Sequence, residues 1–223
     1  IKDSSNKSSK SSKSDNKDIG NLAVSDYKVY SMNPDYHNLE LLKVLRNKSK
    51  GLHDIQSDTM LLDLHDKISI RKIKKKKDIV VFNGPFEKNI NRNRNTVTSV
   101  LSLLRSQNFI SPSKKYKIAI YKNVPVFAGL GGGTGNAAAI IKYFLKEKIS
   151  SKLLKIFERE IGSDLRLFFF NHSFQKSLKK VKMFRKKYTF YFTLIYPNFK
   201  SSTKKVYSKV NKFNLPLKID PSN

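Results

Sequence analysis

The stretch that decides the fold is VPVFAGLGGGTGNAAAIIKYF, residues 124–144. Five glycines, Gly129, Gly131, Gly132, Gly133 and Gly135, fall within seven positions. Glycine takes positive φ at no steric cost and lets backbone amides approach a ligand with no Cβ in the way. Behind the glycines, Ala137, Ile140, Ile141, Phe144 and Leu145 share one helical face, so a helix is expected to begin near Thr134. A helix start carries unpaired N–H groups and a partial positive charge, and with the loop it forms a phosphate cradle. A side chain at Gly132 is expected to stand where a phosphate would sit. A tight turn explains two or three glycines, but not five feeding an alanine-rich amphipathic helix. No lysine follows the glycines, so this is not G-x-x-x-x-G-K-[ST]. Thr134 occupies the third glycine's place in G-x-G-x-x-G, so that pattern fails too.

Working outward, Tyr116, Ile118 and Ile120 alternate as a strand leading towards the loop. Before it, Asn95 is an N-cap for a helix whose Val97, Val100, Leu101 and Leu104 fall at i, i+3, i+4 and i+7. Leu39–Leu45, Lys67–Arg71 and Asp78–Phe82 read as strands, with the KKKK run at 74–77 in a solvated turn. Downstream, a helix near 151–160 ends at Gly162, and Thr189–Ile195 (TFYFTLI) reads as a strand. No internal repeat is present, and the mixture predicts an α+β fold.

The sequence has 223 residues, room for one large domain or two small ones. It contains no cysteine, which excludes thiol catalysis, a disulfide scaffold and cysteine-ligated zinc. No run approaches the ~20 apolar residues of a membrane-spanning helix. The formal net charge of +28 rests mostly on lysine, only 8 of the 45 basic residues being arginine. Those lysines are spread along the chain rather than gathered on one helix, so no specific nucleic-acid partner and no membrane partner is expected. Residues 1–18 hold seven serines, five lysines and three aspartates, too polar to offset the entropy of ordering. They lack the apolar region of a signal peptide, and a cytoplasmic location is expected. In HDIQSDTMLLDLHD (53–66) the two histidines lie 12 apart with no H-E-x-x-H spacing, so no protein-ligated metal is expected.

The motif P-x-x-A-G-L-G-G-G-[ST] resembles the second motif of the GHMP small-molecule kinases. The form AGLGGG-T-x-NAA is most similar to the diphosphocytidyl-methylerythritol kinase branch of non-mevalonate isoprenoid biosynthesis. Further segments follow that family in order: GLHDIQS (51–57), Leu62–Ile70, VFNGP (81–85), Asn95 and its helix, IGSDLRLFF (161–169) and YPNFKSSTKKVY (196–207). The resemblance covers roughly residues 39–210 and implies a two-domain kinase architecture. A disordered Lys/Ser-rich tail is expected over 1–30 from its composition, and the resemblance implies an N-terminal kinase domain over 31–168 and the start of a substrate-side domain over 169–223. The family's final glycine-rich block has no counterpart here, so the C-terminal domain is expected to be truncated.

What the resemblance implies for chemistry is transfer of a phosphoryl group from ATP, with Mg2+, to a hydroxyl of a cytidine-diphosphate-linked sugar alcohol. Pro125, Val126, Phe127, Ala128, Gly129, Leu130, Gly131, Gly132, Gly133, Thr134 and Gly135 would wrap the ATP phosphates, with Thr134 also near magnesium. Asp164 falls at the base position, His53 at the histidine that reads cytidine, and Tyr207 at an aromatic that stacks on it. Three departures stand out. His37 occupies the place of the family's lysine, Leu39 that of its asparagine, and Arg166 that of the proline after G-S-D. A lysine is a fixed charge, whereas histidine is mostly neutral at pH 7. Two alternatives stay open: an impaired nucleotide-binding remnant, and a kinase for another small alcohol such as homoserine or mevalonate. The sequence does not give an oligomeric state.

Overall fold

A computed structural model of the chain describes residues 20–25, 42–45, 54–146 and 149–184, with scattered positions between 189 and 215. In chain order the strands are β1 (Gly20–Ser25), β2 (Leu42–Leu45), β3 (Asp54–Met60), β4 (His65–Ile73), β5 (Ile79–Asn83), β6 (Lys115–Tyr121), β7 (His172–Ser177) and β8 (Lys180–Met183). The helices are α1 (Thr96–Ser106), α2 (Gly132–Leu145) and α3 (Ser151–Ile161), followed by a 3-10 helix at Ser163–Phe169. The fold is α+β, as expected. None of the described helices is long and apolar enough to cross a membrane.

Two four-stranded sheets form, one in the order β1-β4-β6-β5 and the other β2-β3-β7-β8. In the first, β4 and β6 run antiparallel with Ile68 opposite Ile120 and Ile70 opposite Ile118. Period-two alternation sends these isoleucines to one face, where all four are buried. Because β5 and β6 are parallel, the chain must cross over between them, and α1 is that crossover. Its buried Val97, Val100, Leu101 and Leu104 meet Ala137, Ile140 and Ile141 of α2 and Leu154 and Phe157 of α3 in one core. The predicted N-cap is present: Asn95 Oδ1 accepts from the amides of Val97 and Thr98 at 3.0 and 3.1 Å. Thr98 Oγ1 accepts from the Asn95 amide at 3.1 Å, completing a capping box. Gly162 ends α3 at φ 147, again as predicted.

Three expectations change. Residues 20–25 fall within the expected disordered tail, yet form β1, paired antiparallel with β4 from Gly20 opposite Ile70 to Ser25 opposite His65. A sheet neighbour satisfies backbone groups whatever the composition of the segment, and composition alone does not register that. The described residues of Thr189–Ile195 are not a strand, and Tyr191 and Ile195 are 96% and 88% exposed. Strand propensity expresses fit to a half-buried pleated surface, and that burial is missing here. Finally, α2 begins at Gly132, two residues before Thr134.

The second sheet carries β7 and β8 back onto β3, with Asp58 opposite Phe174, so it crosses the boundary expected at 168/169. Thr59 and Ser173, buried across the same pair of strands, bond through their hydroxyls at 2.8 Å. Asp58 has no such partner: its Oδ1 is buried without a hydrogen bond among the described residues. Burial raises its carboxyl to about 6, above the ordinary 3.8. The folded state therefore favours the neutral acid, whose stabilising contribution is whole below the ordinary value and lost as pH rises through about 6. His172, whose pKa burial lowers, acts oppositely, losing its contribution as pH falls. The difference between a variant and its parent isolates Asp58. Asp58→Val is expected to be more stable than the parent at about pH 7.5, with the gain shrinking towards about pH 4. Urea denaturation across that range measures it, and a pH-independent difference would contradict this account.

Candidate functional site

The site begins under the glycine loop, at a charge taken out of water. Asp66 shares the core-facing side of β4 with Ile68 and Ile70 and is wholly buried. A buried carboxylate is tolerated only when its lone pairs are filled and its charge compensated. Oδ1 accepts from the amides of Asn123 and Val124 at 2.8 and 3.0 Å. Oδ2 accepts from Asn136 Nδ2 at 2.9 Å and is ion-paired with Lys122 Nζ. The Lys122 side chain is itself only 4% exposed. One carboxylate thus fixes the residues just past β6, at the entry to the loop, and the second turn of α2.

The loop turns through left-handed backbone at Phe127 (φ 62), Gly129 (φ 76) and Gly131 (φ 75). Gly131 is the N-cap of α2, and no side chain caps the helix, so the amides of its first turn are left for a ligand. A Cβ at Gly131 would lie 2.8 Å from the Phe168 ring, so glycine there serves both φ and close approach. At Gly132 the expectation of a phosphate-facing position is corrected. A Cβ there would meet Val124 at 2.8 Å and Lys122 Nζ at 3.3 Å, so the position faces the buried pair. The glycine lets the helix start sit on its support. The space fits a phosphate chain: a cavity of about 450 Å3 lies between the loop (Pro125–Thr134) and the opposite wall of Phe82, Asn89–Asn91 and Arg94–Thr96. Asn95 shapes that wall as well as capping α1, its Nδ2 donating to the carbonyls of Asn91 and Arg92 at 3.0 and 3.2 Å.

Asp164 does not line this cavity; it sits, partly buried, in the first turn of the 3-10 helix next to it. Three ties hold that helix. The Phe168 ring lies against Gly131. Lys142, on α2, donates to the Phe168 carbonyl at 2.7 Å and stands 5.2 Å from the Phe169 ring centroid, and burial lowers its pKa. Arg166 forms a fork to both oxygens of Glu158 on α3, at 2.7 and 2.8 Å, and donates to the Lys179 carbonyl at 2.8 Å. Arg166, where the resemblance expects proline, is therefore a bond between this helix and α3.

His37, Leu39, His53 and Tyr207 lie outside the described residues. Among the described residues, no three His, Cys, Asp or Glu side chains gather into a group able to hold a metal ion. Sequence reading did not single out Lys122, Asp66 or Asn136 as site residues, although Asp66 lies in the Leu62–Ile70 segment, in register with Ile68 and Ile70, and Asn136 in the glycine motif.

Residues 95–164 match the GHMP kinases N terminal domain family. Over 190 residues the chain is 35% identical to the 4-diphosphocytidyl-2-C-methyl-D-erythritol kinase of Pelagibacter ubique (strain HTCC1062), covering 81% of this chain and 65% of that protein. It is 32% identical over 147 residues to the enzyme of the same name from Pseudothermotoga lettingae, covering 65% of this chain and 50% of that one. The chain thus spans between half and just under two thirds of the length of these relatives. The crystal structure of a 4-(cytidine 5'-diphospho)-2C-methyl-D-erythritol kinase superposes with a TM-score of 0.58 at 17% identity, covering 89% of this chain and 68% of that one. That likeness is one of fold, and it matches the expected GHMP-kinase-like architecture.

The Asp66–Lys122 pair makes a direct prediction. Lys122→Met leaves a buried carboxylate without its cation and is expected to cost about 3–5 kcal/mol of stability. Adding Asp66→Asn to that variant should restore part of the loss. Urea denaturation of the parent, the single and the double variant measures both, and an unchanged midpoint in Lys122→Met would contradict the assignment.

Proposed function

With a GHMP kinase N-terminal domain over residues 95–164, set in a GHMP-kinase-like α+β fold, we propose that this chain is an ATP-dependent phosphotransferase acting on an alcohol. Its acceptor is a hydroxyl of 4-diphosphocytidyl-2-C-methyl-D-erythritol, and the reaction belongs to non-mevalonate isoprenoid biosynthesis. The names of the relatives support the acceptor. The observation that carries the chemistry is the uncapped start of α2 opening into the cavity behind the glycine loop.

Phosphoryl transfer asks a protein for positioning, charge stabilisation and a group to take the acceptor's proton. ATP, when bound, supplies the phosphoryl group. The loop amides and the positive end of α2 hold and stabilise the phosphate oxygens. The Thr134 hydroxyl is the loop side chain that would hold magnesium, which would supply charge for the phosphate oxygens. Asp164 accepts the hydroxyl proton as the new O–P bond forms and the bond to the leaving diphosphate breaks. The bracing of its 3-10 helix by Phe168, Lys142 and Arg166 supports that role. His53 and Tyr207 are assigned to the cytidine base through their match to the family's segments. A cytoplasmic location goes with this reading, and the lysines are a dispersed charge rather than a nucleic-acid surface.

One observation favours a second reading, a nucleotide-binding chain with little turnover: His37 stands where the family has lysine. Labelled-ATP binding together with magnesium-ATP turnover of the cytidine substrate separates the two. The first reading expects Asp164→Asn to lower kcat at least about a hundredfold with little change in ATP affinity. An unchanged rate in that variant would remove Asp164 from the base role. Tight ATP binding with no turnover by the parent would establish the second reading.

A further inference from the structure

The helix that carries Asp164 is weakly built on its own account. It is a 3-10 helix of seven residues, Ser163–Phe169, and such runs rarely exceed about three or four because their hydrogen bonds are poorly aligned. No side chain caps its start. A helix of this kind keeps its place through what its side chains hold, and Arg166 holds two other elements at once.

All three guanidinium nitrogens are used. Nε and Nη2 donate to the two oxygens of Glu158 on α3 at 2.7 and 2.8 Å. Nη1 donates to the Lys179 carbonyl, in the turn between β7 and β8, at 2.8 Å. The two charged side chains are only 16% and 14% exposed, so water competes little for the fork. A lysine ammonium is a point charge and cannot make these three bonds together. α3 packs into the core of the first sheet, whereas β7 and β8 belong to the second, so one side chain fastens the helix to both halves of the fold. Where the resemblance expects proline, rigidity would come from a ring in the backbone; here it comes from a fork to partners 8 and 13 residues away. At three residues per turn, Asp164 and Arg166 leave the helix about 120° apart, so the arginine sets where the acid stands through the backbone they share. We propose that Arg166 is a positioning residue for phosphoryl transfer: by locking its helix to Glu158 and to the β7–β8 turn, it sets the distance from Asp164 to the acceptor hydroxyl. The proposal rests on the reading of Asp164 as the base and adds to it a residue that the resemblance does not supply.

The test is magnesium-ATP turnover of 4-diphosphocytidyl-2-C-methyl-D-erythritol by this chain. Arg166→Lys keeps the charge and loses the fork. Glu158→Gln keeps the partner's shape and loses its charge, and it carries the test if Arg166→Lys fails to fold. Both are expected to lower kcat, Arg166→Lys at least about tenfold, with KM for the acceptor and affinity for ATP changed less than about twofold. Combined, they are expected to be no slower than Arg166→Lys alone, because they break one interaction. In an Asp164→Asn background, Arg166→Lys is expected to take nothing further from the rate, since the group it positions is gone. A merely structural arginine would lower the rate in both backgrounds, and that result overturns the proposal. So does a parental kcat in both Arg166→Lys and Glu158→Gln. If Asp164→Asn keeps the parental rate, or the parent turns nothing over, the reading of Asp164 as the base fails first and the positioning role falls with it.

Discussion

A negative charge buried beneath the glycine loop is the constraint on which the site's geometry depends. Asp66 is wholly buried, and its donors come from two pieces of chain, Lys122–Val124 and Asn136 on α2. An ion pair of this kind is poor evidence for net stability, since apolar residues of equal volume often serve as well. What it imposes is geometry. Any shift of the loop entry or of the second turn of α2 pulls a donor off a carboxylate buried away from solvent. The loop keeps its glycine conformational freedom while its two ends stay fixed.

The acid proposed as the base is positioned by a separate set of contacts. The helix that carries Asp164 is tied to α2 by Lys142 and Phe168, and to α3 by Arg166. The contact of Phe168 with Gly131 is where the two sets meet. There a phenylalanine ring occupies the volume that any other residue's Cβ would need, which accounts for glycine at that position apart from any ligand.

What was legible in the sequence was local. Asn95 and the apolar spacing after it marked α1, Gly162 marked the end of α3, and the glycine cluster marked the loop, because capping, periodicity and turn chemistry act within a few residues. The Asp66–Lys122 pair spans 56 residues, and one lysine among so many carries no signal of its own. The inward direction of Gly132 was equally hidden, since a missing side chain has no direction until the backbone is placed. The strand expected at Thr189–Ile195 failed for the opposite reason: propensity was strong, and burial was absent. The resemblance to the GHMP kinases suggested the role proposed for Asp164, which no spacing rule would have given.

The pairing of residues 20–25 with β4 bears on how the protein is handled in practice. A shortened version beginning at residue 30, as the serine- and lysine-rich composition invites, would lose β1 and leave β4 at the rim of its sheet. Along one side of β4, backbone donors and acceptors would then face solvent unpaired, on a strand that carries Ile68 and Ile70. An exposed edge of that sort is a template for the strand of another molecule. Self-association of such a shortened protein would reflect its missing rim and not a property of the native chain.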